Sequence, residues 1–245
     1  INAACTINQR GYVSGTPTTV ANQYTLDRWR VVTSGQNLSW AASGAINIMT
    51  APAGGAEQVI EGCNILGGTY VLNWLGTATA KVNGVDVTKG GTFTLPANAN
   101  ATLRFTGGTF SMPQLELGTV PTTFELRPIA AEFQMLWRYF RRVTLSGAQR
   151  FASAACISAS QVECALHLPV PMRVPPSLGA QASANFNPTT AAGTSAGAFV
   201  NLFAGYSCTT QIVYFTANGS SGLVAGNATS ILANASTYFD FDAEL

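Results

Sequence analysis

Most of the chain alternates apolar and polar positions with period two, and one stretch alone has the helical period. Tyr70, Leu72 and Trp74 fall on one face of a strand. Ala78, Ala80 and Val82 alternate into Asn83-Gly84, and Val85 and Val87 alternate out again. Asn-Gly between two such runs signals a tight hairpin, because both turn positions require positive φ. Further short strands are expected at 24–33, 38–40, 45–50, 92–95, 103–106 and 109–117, punctuated by Gly67-Gly68, Gly90-Gly91, Pro96 and Gly107-Gly108. Strands so spaced, with no helix between them, predict an antiparallel sandwich or jelly roll.

Within 128–142 the period changes. Ile129, Phe133, Leu136, Trp137 and Phe140 recur at helical spacing and predict a short amphipathic helix. Pro128 suits its first turn, where the missing N–H is not needed. Glu132 near the start and Arg138, Arg141 and Arg142 near the end complement the helix dipole. Then the β pattern resumes. Val162, Cys164, Leu166 and Leu168 share one face, while the proline-rich run 168–176 reads as an edge or a crossing connection. Residues 183–197 are poor in large apolar side chains and read as a long exposed loop. Strands follow at 209–216, 228–232 and 237–245. The last puts Phe239, Phe241, Ala243 and Leu245 on one face and Asp240, Asp242 and Glu244 on the other. The expected fold class is all-β, with two antiparallel β-sandwich domains: a jelly roll over 1–120 and a C-terminal sandwich over 143–245. An extended segment and one short helix, 121–142, join them.

Composition narrows the partners. Charged residues make up 9% of the chain, against about 25% in typical soluble domains. A net charge of +1 gives no electrostatic case for nucleic acid. No run approaches the ~18 apolar residues of a membrane helix, so no membrane insertion is expected. A surface covered by Ser, Thr, Asn, Gly and Ala points to burial against other copies or partners. The chain starts at Ile1 without a signal pattern and is expected to be a trimmed piece. Five widely spaced cysteines without a C-x-x-C pair read as free thiols rather than a zinc site or disulfide framework. Five N-x-[ST] sequons, at Asn37, Asn100, Asn218, Asn227 and Asn234, are what chance gives in so Asn/Ser/Thr-rich a chain.

Catalytic chemistry finds little support. His167 is the single histidine, and no G-x-S-x-G elbow accompanies it. Glu57 and Glu61, placed on one strand, stand about 13 Å apart, beyond the ~5–9.5 Å of glycoside hydrolysis. Asp240, Asp242 and Glu244 suit part of a Ca²⁺ site or a solvated acidic stripe able to pair with the arginines of 127–142; without a D-x-D-x-D-G loop the stripe is favoured. Glycine pairs such as Gly54-Gly55 lack the Lys of a phosphate loop and read as turns. No catalytic residue, cofactor or metal is expected. Trp29, Trp40 and Trp74 are possible sugar-stacking platforms; Trp74 reads as core and Trp40 as the better candidate.

Three segments carry a family resemblance. Gln114-Leu115-Glu116, Gly118, Thr123-Phe124-Glu125, Arg127-Pro128 and then Arg138-Tyr139-Phe140 resemble the inter-domain junction of bacteriophage tail-fibre proteins. Ile7-Asn8-Gln9-Arg10-Gly11 with Tyr24-Thr25-Leu26-Asp27-Arg28-Trp29 resembles the opening of that family's jelly-roll, carbohydrate-binding-like domain, and Ala243-Glu244-Leu245 its C-terminus. The family often has Cys-Gln-Arg-Tyr-Tyr where this chain has Leu136-Trp137-Arg138-Tyr139-Phe140, so that match is partial. The resemblance implies a non-enzymatic virion component, assembled in the host cytoplasm, that recognises a bacterial surface glycan as a homotrimer among other virion proteins. The rival readings are a structural virion protein (capsid decoration, head fibre or baseplate) and a carbohydrate-active enzyme. Ligand contacts are expected in loops 185–198 and 218–227, at Asn185, Phe186, Asn187, Asn218, Ser220 and Asn227, with Trp40 as the first-domain candidate. The oligomer interface is expected at Ile129, Phe133, Leu136, Trp137 and Phe140, flanked by Arg138 and Arg141.

Overall fold

The computed structural model of the protein describes every residue except 181, 191, 192 and 194. The chain is all-β and divides into two compact units, Ile1–Leu136 with Leu245, and Trp137–Glu244.

In the first unit the strands are β1 (Gln23–Tyr24), β2 (Arg30–Val31), β3 (Ser39–Ser43), β4 (Ile46–Thr50), β5 (Ala56–Ile60), β6 (Gly68–Leu75), β7 (Thr79–Val82), β8 (Val85–Val87), β9 (Thr92–Leu95), β10 (Ala101–Thr106) and β11 (Thr109–Leu117). They form a six-stranded sheet ordered β1-β2-β5-β10-β7-β8 and a five-stranded sheet ordered β3-β4-β11-β6-β9. Val31, Ala80 and Phe105 from the first sheet and Met49, Leu72, Trp74 and Phe110 from the second close on one core. The Phe105 and Phe110 rings stack at 4.4 Å, and Trp29 lies 5.0 Å from Phe110. Asn83 and Gly84 both take positive φ (49° and 82°), as the β7–β8 hairpin requires. Residues 24–33 are not one strand. Arg28 adopts φ 70°, Trp29 N–H donates to the Leu26 carbonyl at 2.8 Å, and the chain reverses between β1 and β2.

The helix α1 spans Ile129–Trp137 and starts where Pro128 places it, but it stops five residues short of Arg142. Phe140–Leu145 is instead strand β12. The overlap is physical: Phe140, Arg142 and Thr144 alternate with Arg141, Val143 and Leu145, and six consecutive pairings to the chain's last strand decide for β.

The second unit continues with β13 (Arg150–Cys156), β14 (Gln161–His167), β15 (Ser177–Ala180), β16 (Phe186–Pro188), β17 (Asn201–Cys208), β18 (Ile212–Asn218), β19 (Ala228–Ala233) and β20 (Thr237–Asp242). A three-stranded sheet, β12-β20-β15, and a six-stranded sheet, β16-β19-β13-β14-β18-β17, enclose a second core. Phe239 is its centre, within 4.6–5.5 Å of the Phe151, Phe203, Phe215 and Phe241 rings. The proline-rich run 168–176 makes the crossing between sheets, and no strand is assigned within it. The expected loop 183–197 is corrected in part: Phe186 is fully buried, and Phe186–Pro188 forms an edge strand against β19. Residues 191, 192 and 194 of that expected loop lie outside the described residues.

Candidate functional site

Several residues that carry the family resemblance hold their own segments in place through hydrogen bonds. Asn2 donates through Nδ2 to the carbonyls of Ile7 (2.9 Å) and Asp27 (3.0 Å), and Gln9 donates its N–H and Nε2 to the Asp27 carboxylate at 2.9–3.2 Å. Gln114 and Glu116, two apart on β11, face the same way and hold the extended segment that follows. Gln114 Nε2 donates to Thr122 Oγ1 (2.9 Å), and its Oε1 accepts from Glu125 N–H (3.2 Å). Glu116 accepts from the N–H of Thr122 (3.0 Å) and from its hydroxyl. These polar residues are architecture: they satisfy backbone groups of a segment with no sheet partner.

Another polar feature runs across the six-stranded sheet of the first unit. Tyr24, Arg30, Glu57, Arg104, Lys81 and Asp86 are successive cross-strand partners, so one transverse row crosses all six strands. Glu57, only 2% exposed, accepts from Arg30 Nε (3.0 Å) and Nη2 (2.5 Å) and from Arg104 Nε (2.9 Å) and Nη2 (2.7 Å). Both carboxylate oxygens are thus taken by guanidinium donors, which makes Glu57 the centre of an ion-pair network within the sheet. His167 lies at the exposed end of β14, opposite Ile212. Among the described residues no group of three or more His, Cys, Asp or Glu is placed to hold a metal ion, and no helix is long and apolar enough to cross a membrane.

Trp40 stands on the edge strand β3 opposite the buried Met49, so it faces inward. It is half-buried on the core, with Tyr12 at 6.0 Å. Nearby, Gly35, Gln36, Asn37 and residues 50–53 line a shallow open recess of about 320 Å³. No charged side chain lines it.

Three of the expected ligand residues come together at one end of the second unit. The β13–β14 turn (157–160), the run 196–200 and the β18–β19 connection (219–227) converge there. Gly219 N–H donates to the Ser160 carbonyl (3.1 Å), Leu223 N–H to Ala159 (3.2 Å), Gly226 N–H to Cys156 (2.8 Å) and Val200 N–H to Asn218 (2.9 Å). Asn218 and Asn227 are half-exposed. Ser220 is buried, its hydroxyl 3.5 Å from the Ser160 carbonyl, so it ties two loops together rather than facing a ligand. Asn185, Phe186 and Asn187 lie beside the run 196–200: the Phe186 carbonyl accepts from Phe199 N–H at 2.9 Å and the Pro188 carbonyl from Ala196 N–H at 2.8 Å. Asn185 accepts from Asn234 N–H at 2.8 Å, while Phe186 and Asn187 are buried and leave the ligand-contact set. What the pattern did not single out is an aliphatic trio on the loop tips: Ile157, Val200 and Val224, 40%, 78% and 61% exposed. For two of them the cue was available, since Ile157 is followed by Ser-Ala-Ser and Val224 by Ala-Gly, where no strand alternation calls for an apolar residue.

The loops lie at the end of β14 and β18 away from the point where the chain enters this unit. Met172 N–H donates to the Thr210 carbonyl (2.8 Å) and Arg173 N–H to Arg138 (2.7 Å), which puts the start of the unit beside the turn before Ile212. Seven strand residues, about 20 Å, separate that turn from Asn218.

No protein-family model, no curated protein and no solved structure matches the chain.

The expected oligomer residues divide. Leu136 and Phe140 are buried within the chain, Phe133 and Trp137 are half-buried, and Ile129 is exposed. Arg141 lies over the Trp137 ring, 5.3 Å from its centroid, and desolvation lowers its pKa from the usual value. Arg142 is joined to Asp240 by two bonds of 2.6–2.7 Å, as the acidic stripe allowed. Arg138 is half-buried, its carbonyl taken by Arg173. Along the stapled segment Leu117, Val120 and Leu126 are exposed, as is Ile129 beyond them.

Proposed function

We propose that the chain is a non-enzymatic module of a bacteriophage tail fibre that contacts the host surface through the three-loop end of its second unit. The observation that carries the reading is this convergence of loops. They are pinned to each other by backbone bonds, present side chains that the core does not use, and stand at the far end of the strands from the chain's point of entry. Loops held on a rigid sandwich are where recognition residues concentrate. The network character of the Gln9/Asp27 and Gln114/Glu116 motifs supports a family tie through architecture rather than through a shared ligand. The engaged state of Glu57 supports the non-enzymatic reading. Exposed Leu117, Val120, Leu126 and Ile129, together with the half-buried Phe133 and Trp137, support homotrimer contacts along the junction.

The test is adsorption of labelled protein to a panel of bacterial cells. Ile157→Ser/Val200→Ser/Val224→Ser is expected to bind more than about tenfold more weakly with its melting temperature kept, since exposed positions contribute little to stability. Unchanged binding by the triple variant refutes the loop site. A wild type that adsorbs to no bacterium favours a structural place in the virion, which uses the same architecture.

A further inference from the structure

We infer that the ligand of the three-loop end is an uncharged saccharide carrying methyl groups, as in 6-deoxyhexoses and acetamido sugars. The inference rests on the loop site proposed above and goes beyond it to the ligand's chemistry. Residues 157–160, 196–200 and 218–227 contain no Asp, Glu, Lys, Arg or His. Along the strands that feed these loops, the first Asp, Glu, Lys, Arg or His behind the tips is Glu163 on β14, which accepts the Tyr214 hydroxyl. Arg150 stands at the opposite end of β13. An anionic glycan placed here would lose water without gaining a cation.

Neutrality alone leaves many sugars. The loops also lack an exposed aromatic ring, since Phe199 is buried, so the stacking that usually orients a pyranose is not offered. They offer instead Ile157, Val200 and Val224, aliphatic and exposed, among half-exposed Asn218 and Asn227 and the hydroxyl of Ser221. Aliphatic side chains are matched by methyl groups, and amides and hydroxyls by sugar hydroxyls and acetamido N–H and C=O.

The experiment is a printed array holding neutral 6-deoxyhexose and N-acetylhexosamine oligosaccharides beside uronic-acid-bearing and phosphate-bearing ones, probed with the full chain at 50 and 500 mM NaCl. Expected is binding confined to the neutral set, changing less than about twofold with salt. Val200→Asp/Val224→Asp is expected to lose more than about tenfold, because it buries unpaired carboxylates, with an unaltered circular dichroism spectrum. Salt-sensitive binding to the acidic set that this variant still abolishes overturns the ligand chemistry and leaves the loop site standing. Binding that the variant does not alter overturns the loop site itself. Binding to no glycan, with capture by envelope protein instead, also overturns the inference.

Discussion

Replacing Glu57 by Gln keeps the side chain's shape and removes its charge, in the middle of the transverse row. Four N–H···O bonds from two guanidinium groups converge on its carboxylate, which is 3% exposed as a side chain. The amide turns an NH₂ toward one of those guanidiniums, donor against donor. Breaking a fully buried pair costs about 3–5 kcal/mol. Arg30 and Arg104 are 19% and 35% exposed and regain water when released, which brings the expected loss down to about 2–3 kcal/mol. For a unit of this size that is a fall of roughly 6–12 °C in melting temperature. Trp29, Trp40 and Trp74 belong to the first unit and Trp137 alone to the second. Tryptophan fluorescence during thermal or urea unfolding therefore follows chiefly the unit being perturbed. The control lies in the same row. Lys81 and Asp86 pair at 2.8 Å with side chains 34% and 78% exposed, so Lys81→Gln is expected to change stability by less than about 0.5 kcal/mol. Equal effects for Glu57→Gln and Lys81→Gln, or less than about 0.5 kcal/mol for both, refute the assignment of the row's strength to its buried centre.

Three further outcomes are expected. Burial pushes the Cys5 and Cys164 thiols up to about 12, and of the five cysteines Cys63 alone is exposed; a disulfide reagent at pH 8 should therefore modify one thiol quickly in the native chain and all five in denaturant. For Glu116, desolvation raises the pKa, but the hydrogen bonds from Thr122 and Gln114 outweigh it and leave the pKa below the ordinary value of 4.5. A depressed carboxyl pKa contributes stability above the unfolded value that is lost as pH falls through the folded one, so the protection of the 119–125 amides, corrected for the intrinsic exchange rate, should fall below pH 4.5 in wild type and be lost already at neutral pH in Glu116→Ala. Phe186→Ala should destabilise the second unit by about 3–5 kcal/mol, visible as a lower urea midpoint in its far-ultraviolet circular dichroism; a neutral effect would return Phe186 to the surface.

The legible parts of the fold are those where local chemistry and tertiary context agree. Asn83-Gly84 turns as its φ requirement dictates, β11 spans the expected 109–117, and α1 begins where Pro128 prepares it. The unread parts were decided at a distance. Phe140 fits the helical period and shares its strand face with Arg142 and Thr144, so only the pairing with β20 settles that it is β. Phe186 sits between Asn and Pro in a sparse stretch, and its burial depends on Ala233, forty-seven residues on. Glu57 looks like any strand carboxylate until Arg30 and Arg104 are paired on either side of it. For the site, the polar loop 218–227 was readable from composition. The burial of Ser220 and the convergence with Ile157 and Val200 depend on backbone bonds between loops that no local pattern encodes.

Host recognition through the second unit's loops is tested most directly by amide hydrogen exchange on the full chain, free and bound to envelope fragments of a bacterium it adsorbs to. The account predicts slowed exchange in 157–160, 196–200 and 219–226, with the first unit's recess at 35–37 and 50–53 unchanged. Slowing at the recess or around Trp40, with those loops unaffected, would contradict it.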